Sequence, residues 1–169
     1  MSKRGERRSM RKGQIQLSFG MIFSIIVIIA TIAVAFYVIG KFVVFSRCVD
    51  AGSFYTDLND EVDKAWKSPL TQDVFTGNVP KGVESVCFGN IESADKVVYK
   101  NEYQGLKLYK NQKANVFIYP STKACGNTLI YYNIEHAFIS EFFCVSIVNR
   151  ELSVKINKGF DDSLVTLSK

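Results

Sequence analysis

The sequence predicts an α+β protein: a long apolar N-terminal helix that crosses a membrane, an external amphipathic helix continuing from it, and a small antiparallel β-rich head closed by disulfides. Three observations carry that expectation. Residues 13–40 contain no charged side chain. Between residues 45 and 66 large apolar residues recur every four or five positions, and beyond residue 71 short apolar runs alternate with turn residues. The expected boundaries are 1–13 for a basic N-terminal segment, 14–45 for the transmembrane helix, 46–68 for the membrane-proximal helix and 69–169 for the head.

The apolar run, in helical form, is roughly 40 Å long and crosses a hydrocarbon core of about 30 Å with some tilt. Before it stand Lys3, Arg4, Arg7, Arg8, Arg11 and Lys12; shortly after it come only Lys41 and Arg47, followed by Asp50, Asp57 and Asp60. This basic bias places the N-terminus in the cytoplasm and the C-terminal part outside the cell, as a single-pass protein of the cell membrane. The net charge of +5 belongs to the first twelve residues, because residues 41–169 hold equal numbers of basic and acidic groups. The external part has no general attraction for nucleic acid, and the basic segment reads as a topology signal that also meets anionic lipid. The first partner is thus the lipid bilayer. Ala33-Val34-Ala35 has the small-x-small form of a signal-peptidase site, but a cut there leaves a strongly apolar new terminus at Phe36, after a stretch longer than that of a signal peptide.

Cys48, Cys87, Cys125 and Cys144 all follow the run, an even number in a compartment where disulfides persist. Two bridges are expected, in any of three connectivities. The cysteine spacings include no C-x-x-C pair and His136 is the sole histidine, so metal binding is the weaker reading and no cofactor is expected.

The junction Arg11-Lys12-Gly13-Gln14-Ile15-Gln16-Leu17-Ser18-Phe19 resembles the class III signal of archaeal type IV pilin-like proteins. In that family Lys-Gly-Gln is followed by Ile or Val, a Ser, an apolar residue, Glu and Phe, with the hydrophobic stretch next. The resemblance implies removal of the basic segment by a membrane peptidase between Gly13 and Gln14, the apolar helix remaining as anchor and filament core. Gln16 stands where the family has Ser, and Ser18 where it has Glu. A carboxylate buried among packed helices needs the neighbouring subunit's new amino terminus as its partner. With Ser18 in its place, the resemblance implies processing with poor polymerisation.

Within the span, Gly20, Ser24, Thr31 and Ala35 share one stripe, and each outer pair has the small-xxx-small form that lets helices approach closely. The partners implied are further copies of the chain or other pilin-like subunits. Past the membrane, Phe45, Val49, Phe54, Leu58, Val62 and Trp66 form the expected apolar face of a helix ended by Ser68-Pro69. In the head, Val83–Phe88 and Val116–Tyr119 read as strands. Segments 143–147, 152–156 and 164–167 read as a three-stranded antiparallel meander, with Leu152, Val154 and Ile156 facing the core. Residues 95–113 suit helix or strand.

Catalytic patterns are missing: no Gly-rich phosphate loop, no H-E-x-x-H, no G-x-S-x-G and no calcium-loop spacing. His136, with Glu135 and Glu141 as conceivable acid–base partners, reads as a structural histidine. Asp161-Asp162 reads as turn chemistry, and Tyr131-Tyr132 as strand residues that also offer contact area. No catalytic residue and no small-molecule substrate emerge. The expected function is a structural or interaction role for a membrane-anchored, pilin-like surface protein, not an enzyme. The alternative is a monomeric anchored binding module, an adhesin or accessory subunit, in which the Lys-Gly-Gln match is accidental.

Overall fold

The computed structural model describes residues 19–126 and 128–169; the processing residues Gly13 and Gln14, with Gln16, Ser18 and the basic segment, lie outside the described residues. Helix α1 (Phe19–Lys67) takes up the apolar run from Phe19 onward and the amphipathic segment. The chain divides into two units between Gly40 and Lys41.

In the first unit, every described side chain from Phe19 to Gly40 is exposed. Exposed Ile, Val and Phe at this density are unfavourable in water by about 25 cal/mol per Å², so the segment needs an apolar surround. This helix is long and apolar enough to cross a membrane.

The second unit, Lys41–Lys169, holds the core and two four-stranded sheets. The first sheet consists of β1 (Thr71–Asn78), β7 (Glu151–Lys158), β8 (Val165–Ser168) and β5 (Ala137–Phe138), in the order β1-β7-β8-β5. The second consists of β4 (Tyr131–Tyr132), β3 (Val116–Tyr119), β2 (Ser85–Phe88) and β6 (Phe143–Ser146), in the order β4-β3-β2-β6. All pairings are antiparallel except β5 with β8. β7 alternates as the sequence indicates, with Leu152, Val154 and Ile156 buried and Ser153 and Lys155 exposed. β1 pairs with it along its whole length, setting Phe75 opposite Val154. In this polar edge strand only Phe75 is fully buried, which is why no apolar pattern announces it.

Two expectations are corrected here. The three-stranded meander does not form: β7 and β8 pair, but β6 belongs to the other sheet, beside β2. Asn149 and Arg150 both take positive φ, and the chain turns there between Val148 and Glu151. That tight turn passes the chain from one sheet to the other. Residues 95–113 become helix α2 (Lys100–Leu106) and a short turn of 3₁₀ helix, Lys107–Tyr109. Gly105 permits a close approach there, since a Cβ on it would lie 2.6 Å from the Tyr119 ring.

The second correction concerns the buried face of α1. The head buries Ala51, Phe54, Tyr55, Leu58, Val62 and Ala65, whereas Phe45 is 63% and Val49 50% exposed. At about 100° per residue, the buried set falls on a stripe about 100° wide. By the same count Phe45 points about 180° from Phe54, so the series of four- and five-residue steps winds around the helix. Phe54 packs on Phe75 of the first sheet, with ring centroids 6.2 Å apart, and Tyr55 stacks on Tyr132 of the second at 5.1 Å. The Tyr55 hydroxyl donates to the carbonyl of Ile130, and burial pushes its phenol above the usual range.

The cysteines pair as Cys48–Cys125 and Cys87–Cys144. The second bridge joins directly opposed residues of β2 and β6; the first ties α1 to the loop before β4. Peptide mapping of unreduced protein should return these two pairs, and thiol reagents should label no cysteine until a reductant is added. Labelling of two or more cysteines in native, unreduced cells would remove this arrangement.

Candidate functional site

Gly20, Ser24, Thr31 and Ala35 lie on the exposed helix of the first unit. Thr31 and Ala35 line a shallow apolar depression with Val27, Ala30, Val34, Val38 and Ile39; Gly20 and Ser24 lie outside it. The depression exists because Ala30, Thr31 and Ala35 are small among larger neighbours. Ser24 Oγ donates to the carbonyl of Gly20, and Thr31 Oγ1 to that of Ile28. These hydroxyls are satisfied within their own helix, so a second helix would find a surface suited to van der Waals packing. Ala30 and Val34 were not legible as part of this face, since Ala and Val are common throughout the run.

In the head, His136 does not meet Glu135 or Glu141. Its Nδ1 lies 2.9 Å from Asp63 Oδ1 of α1, and its ring stacks on Trp66 at 3.8 Å between centroids and 9° between planes. Trp66 Nε1 donates to the carbonyl of Ser163. His136 is itself in a left-handed conformation, φ 50°, and its carbonyl accepts from Val165 N. The group therefore fastens the end of α1 to the loop and strand around β8. Asp63 and Trp66 are one helical turn apart, a spacing visible in the sequence; that both meet the single histidine, 70 or so positions on, is not.

Tyr131 and Tyr132 both make ring contacts, with Tyr132 still 38% exposed. Tyr131 lies against Tyr109 and Tyr132 against Tyr55. Asp162 accepts from Gly159 N at 2.7 Å, the local turn bond expected of Asp161-Asp162. A recess of about 420 Å³ opens on the head between Lys110, Gln112, Lys113, Asn133 and Phe138. Lys110 faces Glu92 at 3.5 Å, and Asn115, also in the wall, is committed to the backbone of Ile134 through both ends of its amide. Amide and ammonium groups around an exposed phenyl ring suit hydrogen bonding to a polar ligand. Among the described residues no three His, Cys, Asp or Glu side chains gather as metal ligands.

No family model, curated protein or solved structure matches the chain.

Proposed function

We propose that this chain is a single-pass, pilin-like surface protein of archaeal type. Its apolar helix anchors it, and its disulfide-closed head is displayed outside the cell in a structural or interaction role. The observation that carries this reading is the apolar helix preceded by Lys12-Gly13-Gln14 and followed by a head with two disulfides. Cleavage after Gly13 leaves Gln14 as the mature terminus, and the depression around Thr31 and Ala35 receives another apolar helix of the same kind. Intact mass and N-terminal sequencing of the native membrane protein test it: a chain beginning at Gln14 is expected, and an uncut Met1 or Ser2 terminus would overturn it.

A second reading, the monomeric anchored binding module, draws on the polar recess beside Lys110 and Lys113. It predicts an uncut terminus and no self-association of the helix.

A further inference from the structure

The head carries a basic recess at residues that directly follow the apolar run. Phe42, Val43, Arg47 and Asp50 of α1, Lys81 from the turn after β1, and Arg150 from the turn before β7 enclose about 210 Å³. Three cations from three separate chain segments line this recess together with one carboxylate. That carboxylate, Asp50, accepts from Arg150 Nη2 at 2.7 Å. Arg150 Nε donates to the carbonyl of Val79, whose own N–H donates back to the Arg150 carbonyl. The guanidinium is thus held in place. Arg47, half-buried, and Lys81 make no ion pair among the described residues.

Two further features set this place apart. Arg150 occupies a left-handed position, φ 69°, in a tight turn where glycine is the favoured residue. Phe42 and Val43 on the same recess are 67% and 45% exposed. Uncompensated cations beside exposed apolar side chains make a surface that neither water nor a free anion satisfies fully. A molecule with an anionic oxygen cluster joined to hydrocarbon satisfies both. Arginine forks match phosphate oxygens in geometry as well as charge. The volume is below the roughly 300 Å³ at which drug-sized sites begin, and suits a single headgroup.

We propose that this recess binds the phosphodiester of a membrane phospholipid, with Arg47, Lys81 and Arg150 on the phosphate oxygens and the acyl chains against Phe42 and Val43. The inference rests on the membrane-anchored reading above. It assigns the external face of the anchor its own lipid contact, separate from that of the basic N-terminal segment.

The test uses the full chain in nanodiscs of mixed phosphatidylcholine and phosphatidylglycerol, with bound phospholipid counted by native mass spectrometry after release. Wild type should retain phospholipid, and the double variant Arg47→Gln/Lys81→Gln should lose it by about tenfold or more, since hydrogen bonds to charged groups contribute about 1.5–3 kcal/mol each. Lys107→Gln/Lys155→Gln, which removes two exposed cations elsewhere, should retain it as wild type does. Equal retention by all three proteins would overturn the site. Displacement of the lipid by inorganic phosphate alone would overturn the phospholipid as its occupant. Flotation with liposomes separates the two readings: a chain that floats but retains no phospholipid loses only this site, whereas one that fails to float loses the membrane anchor as well.

Discussion

Gly13→Val should leave the basic N-terminal segment on the chain, shifting the mature protein from a Gln14 terminus to an uncut one, in cells that possess the peptidase. A branched side chain replaces the residue whose carbonyl is cut, so the effect is close to all-or-none. Ser18→Glu is the complementary change. In the wild-type chain no carboxylate stands at that position to pair with an incoming amino terminus inside an apolar bundle, and assembly should be weak. Adding the acid should promote filaments or oligomers that sedimentation and electron microscopy can detect. In a monomeric anchored module the same substitution can only harm, because a charge in a lone span is unfavourable, by about 2.5–3.5 kcal/mol at the centre and by less toward the interface, where residue 18 stands. Improved assembly supports the pilin-like reading, and a purely destabilising effect removes it.

Phe54→Ala should destabilise the head by about 3–5 kcal/mol, whereas Phe45→Ala, nine residues earlier, should cost less than about 0.5 kcal/mol. Phe54 is 1% exposed and lies against both Tyr55 and Phe75, so truncation opens a cavity between α1 and the first sheet. Phe45 has no comparable burial. Thermal unfolding of the purified full chain in detergent measures both, and the Phe54 variant should melt on the order of 10 °C lower. Equal effects would mean that α1 packs on the face suggested by Phe45 and Val49, against the register observed.

The legibility of the fold follows how local its causes are. β7 was readable because strict alternation over Leu152, Val154 and Ile156 is written into neighbouring residues. β1 was not, because Thr71–Asn78 is polar and owes its strand to pairing with β7, a partner far along the chain. For β6 the local pattern specifies a strand but not the partner beside which it lies. Cys144 lies opposite Cys87 on β2, and the turn at Asn149-Arg150 diverts the chain out of β6's plane of pairing. The site residues divide in the same way. The proposed processing pattern, Lys12-Gly13-Gln14, is contiguous in the sequence, while the Asp63–His136–Trp66 group and the recess of Arg47, Lys81 and Arg150 each join segments far apart.

The sequence by itself determined what depends on composition and spacing along the chain. That covers an apolar run long enough to cross a bilayer, the charge asymmetry around it, four cysteines suited to an oxidising compartment, and the helical and strand periods. Only the tertiary structure decided which cysteines pair, which stripe of α1 is buried, how the described strands distribute between two sheets, and which cations converge beside Phe42 and Val43. Each of these is a choice among long-range pairings of similar local quality. They are settled jointly, by packing Phe54, Tyr55 and Leu58 against two sheets at once, and no short window of residues contains that competition.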